Sequence, residues 1–309
     1  MPTRSHWIFQ VFSLVAIGAA CWLLSAALRD SWREMVAMLG DRALIGPLTA
    51  LSVAHSVALG IAALAWRYLV GVVVGAPVSV WVGLRIYAIS NVAKYLPGNV
   101  FHFAGRQLMG GRAGWPQHAI ARATLLELGL NAGCALALIA LTGATVLPDR
   151  LSKSAGATAV AIGHMGAGMP LIALVAVALV VAIMSWSGLL HHVFGVRLQH
   201  LLVAGSLVVA FLLGCDAIAV FAGIAIDGPI ARTHWVLLGS AYLASWLAGF
   251  VVPGAPGGLG VREGMLLFLL SDTTGAPFAL SLAFATRVVT TAGDALFAVV
   301  GLIAQWRMR

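Results

Sequence analysis

Charged side chains set inside long apolar runs are the residues of this chain with the means to do chemistry. Glu127, Asp216, Arg287 and Asp294 each interrupt a segment hydrophobic enough to enter a bilayer. A charge at mid-depth costs about 2.5 to 3.5 kcal/mol on insertion scales, so such residues face a protein interior or a water-filled cavity. A second group gathers at two proline-glycine breaks. Asn91, Lys94, Tyr95, Pro97, Gly98, His102 and Arg106 surround the first, and Pro256, Gly257, Gly258, Gly260, Arg262 and Glu263 form the second. Lys94 would end one half-helix and Arg106 would stand about two turns into the next, so that together with Asn91 they could bracket a phosphate. A half-helix starting after Pro97-Gly98 would also aim free backbone N–H groups at an anion. The glycines of the second break let backbone approach a ligand or a neighbouring helix without side-chain hindrance. These residues are the expected binding site for an anionic group such as a phosphate; the alternative is a pair of kinks whose charges snorkel to the interface.

Glu127 and Arg287 fall at matching positions of the two halves. Ala123-Thr124 precedes Glu127 and Asn131-Ala132-Gly133, as Ala285-Thr286 precedes Arg287 and Thr291-Ala292-Gly293. The charge is inverted between the copies. Glu127 and Arg287 are therefore expected to meet as an intramembrane ion pair near Asp294, either a gate that moves with ligand or a brace that holds the halves together.

Other chemistries find little support. The histidines lack metal-ligand spacing, and HExxH, Walker and nucleophile-elbow motifs are absent from the sequence, so no metal or cofactor is expected. Cys21, Cys134 and Cys215 are dispersed in apolar runs and read as packing residues. The rival enzymatic reading is a polyprenyl-phosphate-dependent membrane glycosyltransferase using Asp30, Glu34 and Asp41. Those acids interleave with Arg29, Arg33 and Arg42, the pattern of a solvated interfacial helix. No enzyme activity is therefore expected.

The elements that must position these residues follow from composition. Of 309 residues 61% are hydrophobic and 9% charged, with a mean hydropathy of +1.00, which belongs to a polytopic membrane protein. The net charge of +8 suits anionic headgroups, and no basic patch with interleaved aromatics suggests nucleic acid. Spanning helices are predicted at about 8–28, 43–66, 119–147, 157–184, 201–226 and 277–304. The first is expected to be a retained helix rather than a signal peptide. The segments 78–110 and 234–271 contain the breaks and read as re-entrant hairpins.

The fold class expected is thus all-α: about six spanning helices plus two re-entrant helical hairpins, in one transmembrane domain over 1–309. The order helix, helix, hairpin, helix occurs twice, in 1–148 and 157–309 around the polar join Asp149 to Gly156. Each unit crosses an odd number of times, so the copies must be inverted. Seven tryptophans near predicted segment ends, Trp66 among them, read as interfacial anchors. The distribution of Lys and Arg slightly favours a cytoplasmic N-terminus and C-terminus, and small-residue faces permit a homodimer.

Two long motifs carry a resemblance. Ser90-Asn91-Val92-Ala93-Lys94-Tyr95-Leu96-Pro97-Gly98, followed by Phe101-His102-Phe103-Ala104-Gly105-Arg106 and Glu127, is one; Pro256-Gly257-Gly258-Leu259-Gly260-Val261-Arg262-Glu263-Gly264 is the other. With the Arg287 to Asp294 stretch they resemble the lysylphosphatidylglycerol synthase transmembrane-region family, the flippase-type membrane domain of bacterial aminoacyl-phospholipid synthases. The resemblance implies a bacterial inner-membrane bundle with two inverted re-entrant hairpins that moves a lipid between leaflets. This chain has no soluble aminoacyl-transferase domain, so lysyl-lipid synthesis is not implied. The expected substrate is an anionic phospholipid or a polyprenyl-phosphate-linked lipid. Family relatives fused to glycosyltransferases imply a lipid-modifying partner, for which a non-transporting scaffold is a further alternative.

Overall fold

The computed structural model describes Gly40 and residues 42–96, 100–143, 196–252 and 255–306. Helices account for 90% of these residues, and no strand occurs among them. The described helices are α1 (Arg42–Val74), α2 (Val80–Asn91), α3 (Phe101–Arg112), α4 (Gln117–Gly143), α5 (Leu198–Ile226), α6 (Gly228–Thr233), α7 (Trp235–Val251), α8 (Val261–Thr274) and α9 (Ala276–Trp306). Short 3-10 turns, Val92–Tyr95 and Pro256–Gly258, stand at the two breaks.

Four helices, α1, α4, α5 and α9, are long and apolar enough to cross a membrane, each over a predicted span. The predicted spans at 8–28 and 157–184, the join Asp149 to Gly156, and Pro97 and Gly98 lie outside the described residues. Exposure follows the rule for a protein dissolved in lipid. Large apolar side chains point outward, with Phe268 77% and Val57 62% exposed, while Asn91, Arg106, Glu127 and Asp294 are buried. The buried charged and amide groups are the informative part of this pattern, since single exposed apolar side chains occur on any protein.

Local chemistry ends the helices where the breaks need them to end. Gly75, at φ +77°, closes α1, and Gly114, at φ +85°, turns the chain between α3 and α4. Asp227 caps α6 by accepting from the Ile230 N–H at 3.1 Å. At the start of α8 the Glu263 carboxylate accepts from the Gly260 N–H at 2.7 Å, satisfying a donor that the helix leaves unpaired.

The described elements run twice through one series, long helix, short helix, 3-10 turn, short helix, long helix, with the six-residue α6 added after the long helix of the second run. Their packing exchanges between copies. α9 lies against α1 and α2, and α4 lies against α5 and α7. The central contact joins α1 to α5 through alanine-rich faces, Ala58, Ala62 and Ala65 on one and Ala204, Ala219 and Ala222 on the other, all buried. Small side chains let helix axes approach closely where lipid supplies no hydrophobic drive. Trp66 corrects its expected interfacial role. Its side chain is fully buried and its indole N–H donates to Thr124 Oγ1 at 3.2 Å, tying α1 to α4.

Candidate functional site

The two breaks meet in the interior. Gly257 adopts φ +58°, a left-handed conformation open to glycine, and a Cβ there would lie 3.0 Å from Tyr95 Cε1. The Tyr95 ring of the first break therefore rests on the Gly257 backbone of the second. Around this contact lies a cavity of about 100 Å3 lined by α1, α2, α3, α4, α5, α7, α8 and α9. Its volume is below the few hundred Å3 of pockets that enclose a whole drug-sized ligand, and suits a small polar group or a few waters.

Asp294, buried on α9, collects the donors of the first break. Asn91 Nδ2 donates to its Oδ1 at 2.9 Å, and the Tyr95 hydroxyl donates to its Oδ2 at 2.5 Å. Lys94 Nζ stands 2.9 Å from Oδ1 and 2.7 Å from Oδ2. Three donors from one short stretch converge because the 3-10 turn presents Asn91, Lys94 and Tyr95 toward the same helix.

Glu127 forms the second centre. Its carboxylate pairs with the Arg106 guanidinium and accepts from the Tyr87 hydroxyl at 2.8 Å. Arg106 lies 3.8 Å from the centre of the Tyr87 ring, a cation–π contact in a desolvated setting. Asn131, one turn along α4, donates to the Glu127 carbonyl at 2.9 Å.

Arg287 forms the third. Its Nε donates to Glu263 Oε1 at 2.7 Å, and its Nη1 donates to the Gly257 carbonyl at 3.1 Å. The expected Glu127 to Arg287 pair is thus corrected: each takes a partner from the short helix just before it, Arg106 on α3 and Glu263 on α8. The charge inversion survives as two pairs of opposite polarity, cation then anion in the first series and anion then cation in the second.

Lys94 and Arg106, expected to bracket a phosphate, are each paired with a carboxylate of this chain. Arg262 differs. It lines the cavity, makes no ion pair among the described residues, and keeps a buried Nε without a hydrogen-bond partner. Gly249 and Gly258 make room for it, since a Cβ on Gly258 would lie 2.7 Å from that Nε and one on Gly249 2.7 Å from Arg262 Cγ.

His102 lines the same cavity and is buried. Gly260, at φ +79°, turns the chain into α8, and Pro256 opens the second 3-10 turn. Asp216 lies away from this cluster, on α5 against Gly239 of α7. Asp30, Glu34 and Asp41 lie outside the described residues, as does Cys21. Cys215 is buried and Cys134 half-buried. Among the described residues no three His, Cys, Asp or Glu side chains group closely enough to hold a metal ion. His55 and Tyr87 belong to the site and were not singled out by sequence. His55 was one of nine scattered histidines, and Tyr87 lies outside the motif that begins at Ser90.

No protein-family model, curated protein or solved structure matches the chain.

Proposed function

We propose that this protein is a lipid flippase or transporter of a bacterial inner membrane, with both termini cytoplasmic. It moves an anionic phospholipid or polyprenyl-phosphate-linked lipid between leaflets. The observation that carries this reading is Arg262: a guanidinium with no ion pair among the described residues, set in a polar cavity where two breaks meet inside a bundle that is apolar outside. A half-buried cation lacking a fixed partner fits a negatively charged ligand, and broken helices around a mid-membrane cavity are where transporters place their substrates.

Helix lengths support the re-entrant reading. At 1.5 Å per residue, the 12 residues of α2 and of α3 reach about 18 Å each, well short of the roughly 30 Å hydrocarbon core. Each pair would dip in and return, α2 with α3 from one side and α7 with α8 from the other, within two inverted repeats completed by the spans at 8–28 and 157–184. The cavity takes the phosphate while the acyl or prenyl chains stay in lipid. Rocking one repeat against the other opens it to each leaflet in turn.

The experiment is leaflet exchange of fluorescent phospholipids in liposomes, comparing wild type with Arg262→Ala and Arg262→Lys. Exchange that depends on protein, is lost with Ala and is partly kept with Lys supports the reading. Full exchange by Arg262→Ala removes the headgroup site. Absence of exchange with phospholipids and with a polyprenyl-phosphate lipid removes transport and leaves a scaffold or glycosyltransferase role.

A further inference from the structure

His55 completes the cluster around Asp294 without donating to it. The imidazole is buried on α1 at 5% exposure and lines the cavity. Its Nε2 stands 3.8 Å from Asp294 Oδ1, and its Nδ1 has no hydrogen-bond partner. Gly293 permits this approach. A Cβ at that position would lie 2.8 Å from His55 Cδ2, 2.9 Å from His55 Cβ and 2.7 Å from the Ser52 carbonyl oxygen. The ring is therefore held one short movement from hydrogen-bonding distance of the carboxylate.

Asp294, at 2% exposure, needs a positive partner, because a buried carboxylate stripped of its cation is strongly destabilising. Lys94 supplies that charge and is itself 20% exposed, on the cavity side where an anion would arrive. A phosphate that draws the ammonium away leaves Asp294 short of one charge. Around His55, the 3-10 turn contributes Lys94, α8 contributes Arg262 and α9 contributes Asp294, while Tyr95 and Arg287 line the same cavity. Glu127 of α4 is committed to Arg106 of α3 and Tyr87 of α2. His55 stands beside Asp294, and an imidazole is the kind of side chain that can gain a proton when a negative charge arrives next to it.

We infer that His55 and Asp294 form a proton-uptake site coupled to headgroup binding. When one phosphodiester anion settles on Lys94 and Arg262, one proton passes from water to His55 Nε2, and the imidazolium replaces Lys94 as the counter-ion of Asp294. Lys94 remains an ammonium and Asp294 a carboxylate throughout. One negative charge and one proton enter together, so the buried site keeps its net charge and a pH difference across the membrane biases loading toward the acidic side. This rests on the lipid-transport reading above.

Calorimetric titration of the purified protein with dihexanoylphosphatidylglycerol, whose phosphodiester does not titrate near neutrality, tests it in two buffers of different protonation enthalpy. Wild type should take up about one proton per lipid bound in the pH window above the pKa of the empty site and below that of the loaded one, and within it the affinity should rise by up to about tenfold for each pH unit lowered. His55→Gln, or His55→Asn if the first does not fold, should bind with no linked proton. Wild-type binding without proton uptake overturns the inference and leaves the lipid site standing. Uptake retained in both variants overturns the assignment to His55. No binding by wild type removes the lipid reading, and this inference with it.

Discussion

Lys94 and Asp294 lie 200 positions apart in the chain and 2.7 Å apart in space. The pair joins the break in the first series to the last long helix of the second. It is the ionic contact, with Asn91 and Tyr95 beside it, that closes the site across the two halves.

Removing either member alone leaves a buried charge without its partner, which costs about 3 to 5 kcal/mol. Lys94→Met and Asp294→Leu should each lower the thermal unfolding midpoint in detergent. The double variant should recover most of the loss. A double variant as unstable as the sum of the singles would show that the ion pair is not what the single substitutions break.

Tyr87 both donates to Glu127 and lies under Arg106. Tyr87→Phe keeps the ring and removes the donor, so it should destabilise by about 1 to 3 kcal/mol, the cost of an unmet buried acceptor. Arg106→Lys keeps the charge but loses the planar stacking, and should be more damaging than a conservative exchange on the surface. Chemical denaturation of both variants against wild type checks the two expectations.

At Gly257 the left-handed backbone and the Tyr95 ring both exclude a side chain. Gly257→Ala should cost at least the roughly 1 to 2 kcal/mol of a left-handed L-residue. Adding Tyr95→Ala should relieve the steric part and leave the backbone part. An unchanged unfolding midpoint for Gly257→Ala would mean that the two breaks do not touch as described.

Gly293 and Gly129 form a matched comparison. A Cβ at Gly293 meets the Ser52 carbonyl oxygen at 2.7 Å, whereas one at Gly129 meets nothing within 4 Å. Gly293→Ala should separate α9 from α1 and cost about 1 to 3 kcal/mol. Gly129→Ala, in mid-helix, should be neutral or stabilising by about 0.5 to 1 kcal/mol. Size-exclusion profiles after graded heating distinguish them.

The long helices were legible because an apolar run of spanning length has few other fates in lipid, and α1, α4, α5 and α9 fall on their predicted segments. The breaks were legible for the same reason: proline and glycine at mid-segment mark backbone that must find other partners. Asp294 and Glu127 stood out as charges in apolar surroundings. Their partners did not. Whether Glu127 meets Arg106 or Arg287 depends on how each helix is rotated, and matching positions in two repeats carry no information about rotation. The short helix after a break returns directly onto the next long helix, so the partner comes from 21 residues earlier for Glu127 and 24 residues earlier for Arg287. His55 was illegible because a histidine in an apolar helix gains meaning only from what faces it, here a carboxylate on a helix more than two hundred residues later.

The two pairs of opposite polarity bear on how such a chain is made. Arg106 with Glu127, and Glu263 with Arg287, are each complete within one short helix and the long helix that follows it, so either half can pair those charges on its own. Lys94 and Asp294 cannot. Each remains uncompensated until the halves dock, at a cost near 3 kcal/mol per lone charge at mid-depth. The contact that shapes the cavity is thus one that neither half completes alone.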